Sequence, residues 1–178
     1  MHFARVTENG LRALKDCEIQ GLLGLYGTDE NPRNSYQSTE EEAVRLAKRW
    51  GEDPFDAAEA AILHDITKKL TLNEQLLLCE QYGIMTDAAE SGSEKLLHSK
   101  TGAALARARF GVSDKVYEAI RWHTTGKAGM SLLEKIIYMA DYMEPNRDFP
   151  GVEKLRELAF TDMDAERTAQ SCKLVQEC

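Results

Sequence analysis

The chain has 178 residues, 43% of them hydrophobic and 29% charged, and a formal net charge of −8. That length suits one domain able to bury a core without staples, and the acidic balance excludes a general nucleic-acid binder, which needs a basic surface. No stretch has the apolar length of a membrane span and the start MHFARVTENG lacks an export core, so the expected location is the cytoplasm.

In chain order, residues 1–37 are the least regular, with a short helix around ENGLRALKDC and then a loop rich in Gly, Asn and Pro. Ser38 and Glu41 make a capping-box pattern ahead of EEAVRLAKRW, which Gly51 ends. Pro54 suits the first turn of FDAAEAAILHD. Thr71 and Glu74 repeat the box before LNEQLLLCEQY, Gly83 stops that run, and TDAAESGSE reads as a loop. KLLHSKTGAALARARF runs to Gly111, and SDKVYEAIRWH opens at Ser113. After the loop TTGKAG, Ser131 and Glu134 box the start of SLLEKIIYMADYM, and EPNRDFPG breaks it with two prolines. VEKLRELAF is a last amphipathic stretch before a polar tail. No alternating strand pattern occurs in the sequence.

The pattern predicts an all-α, single-domain bundle of about seven to nine helices. Residues 38–165 form its core, 1–37 an N-terminal helix and loop, and 166–178 a polar C-terminal tail. Cys17, Cys79, Cys172 and Cys178 show no CxxC pairing and read as free thiols. Trp50 and Trp122 read as packing residues, and the acidic run TEEEA as a solvated helix start favoured by the helix dipole.

Of four histidines, three stand at apolar-to-polar junctions. His64 and Asp65 follow the run AAIL, His98 follows Leu96-Leu97, and His123 follows Trp122. Asp141 interrupts IIYMADYM, where a carboxylate is costly unless paired or metal-bound. Sequential residues on a helix point about 100° apart, so His64 and Asp65 would reach a cation at a helix crossing from two sides. Imidazoles suit zinc, iron, nickel or manganese, and a carboxylate can bridge two ions. Two readings stand at this point: separately hydrogen-bonded core residues, or one ligand set.

The order His-Asp, His, His, Asp across consecutive helices resembles the HD-domain metal-dependent phosphohydrolases. The words ILHDITKKL, LLHSKTGA and AIRWHTTGKAGMSLLEKIIYMADYMEPNRDFPGV look like the YqeK-type branch, the bacterial symmetrical dinucleoside tetraphosphatases. The resemblance implies an all-helical HD fold, a two-metal centre with iron as its metal, and symmetrical cleavage of diadenosine tetraphosphate (Ap4A) into two ADP. It implies a small nucleotide substrate, neither nucleic acid nor membrane as partner, and a homodimer. His64, Asp65 and Asp141 become ligands of one metal, and His98 and His123 ligands of the second, with Asp65 bridging. Asp65 and Lys68 are the implied catalytic residues, Lys68 contacting a phosphate or assisting proton transfer. Arg121, Thr124, Thr125, Gly126, Lys127 and Arg147 fall near the substrate's phosphates.

The chain departs from the family pattern at its first ligand. A further histidine should precede the His-Asp pair, and its place here falls on Ser35 without gaps or on Ser38 with a short deletion. Serine is a poor neutral ligand for these metals. The substitutes on offer are water or a carboxylate such as Glu40 or Glu41, the distant His2, or a weakened site in a poor enzyme or nucleotide sensor. The alternatives to the leading function are therefore an HD phosphohydrolase of another nucleotide and a non-catalytic nucleotide-binding protein.

Overall fold

The structure, a computed structural model, describes residues 35–162 and residue 164. His2, the helix expected around ENGLRALKDC, Cys17, the side chain of Ser35 and the tail with Cys172 and Cys178 lie outside the described residues. Among the described residues seven α-helices follow one another: α1 Ser35–Trp50, α2 Pro54–Leu63, α3 Leu72–Tyr82, α4 Glu94–Phe110, α5 Asp114–Trp122, α6 Leu132–Met143 and α7 Val152–Ala159. One 3-10 turn, Glu90–Gly92, interrupts the TDAAESGSE loop. No strand occurs among the described residues.

Local chemistry accounts for most of the helix ends. The Asp53 carboxylate caps α2 by accepting from the Phe55 amide, and Pro54 opens the helix. Both halves of the capping box form at Thr71/Glu74 and at Ser131/Glu134. Ser113 caps α5, and Gly83 and Gly111 end α3 and α4 in the left-handed conformation that glycine reaches without a Cβ clash.

α2 is the central helix, packed against α1, α5 and α6. Its alanines at 57, 60 and 61 are fully buried, and these small side chains let the neighbouring helices approach closely. Leu46, Leu63, Ile120, Leu133, Ile137 and Met143 fill the core around it. Trp50 packs against that core and donates its Nε1–H to the Ala159 carbonyl, fastening α1 to the end of α7.

Three expectations need correction. α1 starts at Ser35, so Ser38 and Glu41 lie inside the helix and their pattern caps nothing. Glu42, read as part of a solvated acidic run, is buried and ion-paired to Arg45 at 2.6 Å. The helix expected through His64 and Asp65 stops at Leu63, and His64 is its C-cap. Beyond it the chain tightens into successive turns, with Ile66 N–H to Leu63 O, Lys68 N–H to Asp65 O and Leu70 N–H to Thr67 O. The turns bury Ile66, Thr67 and Leu70 while leaving Lys68 and Lys69 outside, the same spacing that an amphipathic helix would give, so burial pattern alone does not reveal the break.

Candidate metal centre

Five of the singled-out side chains converge from four helices. His64 comes from the C-cap of α2, Asp65 from the following turn, His98 from α4, His123 from the C-cap of α5, and Asp141 from the end of α6. His64 Nε2 stands 3.2 Å from Asp65 Oδ2 and 3.7 Å from Asp141 Oδ1. The other carboxylate oxygen, Asp65 Oδ1, stands 3.3 Å from His98 Nε2 and 3.6 Å from His123 Nε2. His98 and His123 approach Nε2 to Nε2 at 3.0 Å. Asp65 thus turns one oxygen to His64 and the other to the remaining two imidazoles.

Two of the rings are fixed from behind. His64 Nδ1 lies 2.6 Å from the Ala61 carbonyl and His123 Nδ1 lies 2.7 Å from the Ile120 carbonyl. A carbonyl can only accept, so each Nδ1 carries its proton and each Nε2 is left to face the centre. This is the arrangement that metal-ligating histidines adopt. His64 Nε2 and Asp65 Oδ1 are both buried with no hydrogen-bond partner. Buried polar atoms are rarely left so.

Charge in the centre is strongly coupled. Burial opposes protonation of His64, but the carboxylates of Asp65 and Asp141 overcome it and push its pKa up to about 10. Burial likewise opposes ionisation of Asp65 and Asp141, yet His64 and the neighbouring imidazoles hold both well below the usual carboxylate range. His123 goes the other way: burial, with the charges of His64 and His98, outweighs Asp65 and lowers its pKa.

The donors suit a divalent cation. Nitrogen and oxygen ligands at about 2.0–2.2 Å from one ion stand about 3–3.5 Å apart, close to the separations seen here. His64, Asp65 and His123 each offer a ligand atom within 4.8 Å of the others. The three tautomer- and charge-defined features, two inward Nε2 atoms and an unpartnered carboxylate oxygen, are ones a cation would satisfy.

Three more expected residues touch this set. Lys68 Nζ sits 2.7 Å from Asp65 Oδ2, with its side chain about half exposed. Arg147 Nη2 donates to Asp141 Oδ1 at 2.8 Å and its Nε–H to the Asp141 carbonyl. The Thr124 hydroxyl lies 3.2 Å from His98 Nε2 and 3.1 Å from His123 Nε2. The rest of the group is engaged elsewhere. Lys127 pairs with Glu134 at 2.8 Å and Glu118 at 3.4 Å, and Arg121 lies over the Trp122 ring with its Nε buried and unpartnered. The Thr125 hydroxyl bonds the Gly126 carbonyl, and Gly126 supplies a positive φ for the turn.

At Ser38, one of the two positions considered for the first histidine, the hydroxyl accepts from Asn146 Nδ2 at 3.0 Å, and the Asn146 amide also reaches the buried Glu144. Of the carboxylates considered as substitutes, Glu41 is exposed on α1. The residues that sequence reasoning missed are Thr67, Thr101 and Gln75, buried behind the centre. A threonine two places after Asp65 carries no signal of its own, because its partner lies on another helix.

Comparison with known proteins agrees with the geometry. The family described as HD domain matches residues 38–146. A "Bis(5'-nucleosyl)-tetraphosphatase, symmetrical" of Halalkalibacterium halodurans is 49% identical over 125 residues, 70% of this chain and 66% of that protein. The protein of the same description from Bacillus subtilis is 43% identical over 123 residues, covering 68% of this chain and 66% of its own length. The matched region therefore spans just under two thirds of these relatives. Among solved structures, a "predicted HD superfamily hydrolase involved in NAD metabolism" from Clostridium acetobutylicum superposes with a TM-score of 0.80 at 35% identity, over 90% of this chain and 86% of that one.

Proposed function

The chain belongs to the HD-domain family, and from that premise we propose that it is a metal-dependent phosphohydrolase cleaving dinucleoside tetraphosphates symmetrically, Ap4A to two ADP. The observation that carries the proposal is the buried cluster in which His64 Nε2 and Asp65 Oδ1 lack hydrogen-bond partners while facing other ligand-type atoms. The substrate follows from the two bacterial relatives described as symmetrical tetraphosphatases.

The HD fold implies a divalent metal, and iron is the identity we propose. His64, Asp65 and Asp141 would hold one ion, and His98 and His123 a second, with Asp65 shared. When bound, such ions lower the pKa of a coordinated water and polarise a phosphoryl oxygen. The chain's own cations supply the rest. Lys68, half exposed beside Asp65, is placed to meet a substrate phosphate and the charge that grows on the departing ADP. Arg147 holds the Asp141 carboxylate from its outer side through a 2.8 Å hydrogen bond. The Thr124 hydroxyl is a donor between two imidazoles, suited to a phosphate oxygen. Arg121, Thr125, Gly126 and Lys127 belong to the proposed phosphate contacts as well, and a phosphate reaching Lys127 or Thr125 would have to exchange for Glu134, Glu118 or the Gly126 carbonyl. We assign the protein to the cytoplasm as a homodimer; no helix among the described residues is long and apolar enough to cross a membrane.

A second reading, a nucleotide-binding protein without catalysis, is favoured by one observation: Ser38, one of the two positions considered for the first histidine, offers only a hydroxyl, already bonded to Asn146. Incubation with Ap4A and iron, manganese or cobalt, followed by chromatography of the products, separates the two. The phosphohydrolase yields ADP alone. Products of ATP and AMP would refute symmetrical cleavage, and absence of turnover with all three metals would favour the second reading.

A further inference from the structure

Of the three imidazoles in the centre, His98 is the one not held from behind: its Nδ1 is buried and has no hydrogen-bond partner, and only its Nε2 is engaged, by His123 and Thr124. On the far side from the centre, its place is set by its backbone. That backbone is tied to the Asp65 turn by a single side chain, Thr67, whose hydroxyl lies 2.8 Å from the carbonyl of His98 itself. Behind it the Thr101 hydroxyl stands 2.9 Å from Thr67 Oγ1 and 3.2 Å from Gln75 Oε1. Gln75 Nε2 in turn donates to the carbonyls of Leu70, at the end of the same turn, and Glu94, at the start of α4. Thr67, Thr101 and Gln75 are fully buried. The network therefore joins the middle and the end of the turn of residues 64–70 to the first half of α4.

A close backbone approach seals the contact. A Cβ on Gly102 of α4 would meet the His64 carbonyl at 3.3 Å and Thr67 Oγ1 at 3.4 Å. We propose that Thr67, backed by Thr101 and Gln75, is a positioning residue that sets the 3.3 Å gap between Asp65 and His98, and thereby the affinity of the divalent cation these two would share. The inference rests on the metal-centre reading above. Thr67 touches none of the reacting atoms. It acts by holding two ligand-bearing segments at one separation, which a buried, satisfied polar network does more sharply than apolar contact alone.

The test is titration of manganese(II) into the full-length protein after removal of metal by chelation, comparing wild type with Thr67→Val, Thr67→Ser and Gln75→Met. Losing an orienting partner typically weakens metal binding about 10–100-fold, so Thr67→Val, which keeps shape and loses the hydroxyl, should bind manganese about ten-fold more weakly. Thr67→Ser keeps the hydroxyl and should remain within about two-fold of wild type by the same reasoning. A Thr67→Val protein that melts lower but binds manganese like wild type would show a merely structural role and overturn the proposal, as would equal weakening in Thr67→Ser. If Thr67→Val does not fold, Gln75→Met decides, because weaker binding is expected there and unchanged binding overturns the network's role. Wild-type protein that takes up no manganese would sink the metal centre itself, a different result from either.

Discussion

His64 Nε2 lies 3.2 Å from Asp65 Oδ2 and 3.7 Å from Asp141 Oδ1, two carboxylates that favour its protonated form. Its pKa stands at about 10, above the ordinary 6.5, because Asp65 and Asp141 outweigh burial. The folded value is the raised one, so the stabilisation from protonated His64 is complete below pH 6.5 and is lost as pH rises through 10. Metal binding must displace that proton. Between pH 7 and pH 9, manganese affinity should therefore rise about ten-fold per pH unit, with about one proton released per His64 site filled. Calorimetric titration in two buffers of different ionisation enthalpy measures both quantities. An affinity independent of pH would contradict the placement of His64 Nε2 among the ligands. The residues that converge on the centre were singled out in the sequence through their order and the words around them, whereas their tautomers were not: Ala61 and Ile120 contribute only backbone carbonyls, which no side-chain pattern reveals.

At the scale of elements, the contact between α4 and the turn after α2 governs the centre. Gly102→Ala puts two effects in opposition. Alanine in a helix interior is favoured over glycine by about 1 kcal/mol, while its Cβ presses on the His64 carbonyl, a backbone atom that cannot swing aside as a side-chain tip would. The melting temperature should therefore change little, while manganese binding weakens about ten-fold as the ligand turn is displaced. Thermal melts and titrations on the same sample check this, and a variant with unaltered metal affinity would show that the approach at Gly102 is not coupled to the site. Helix ends fixed by neighbours in sequence, such as the Thr71/Glu74 and Ser131/Glu134 boxes, were readable in advance. The end of α2 was not, because its bonds reach Thr67's partners on α4, some thirty residues away. The Ser38/Glu41 pattern misled for the converse reason: α1 simply begins a turn earlier.

For the molecule as a whole, a net charge of −8 and a polyanionic substrate are compatible only if the positive charge is local. Lys68 and Arg147 are held against the carboxylates of the centre, and a bound divalent ion would add to them. The all-helical fold was legible from the spacing of apolar residues and from recurring stop signals, since one core of amphipathic helices leaves that imprint along the chain. The link from the Asp65 turn to α4 was not, because Thr67, Thr101 and Gln75 look like ordinary polar residues until the fold buries them together. The central claim is that this buried cluster holds metal. The metal content of freshly purified protein, compared with His64→Ala and Asp65→Ala, tests it most directly. At least one divalent ion per chain in the wild type, absent from both variants, is the predicted result. A wild type without metal, or variants that keep the full complement, would contradict it.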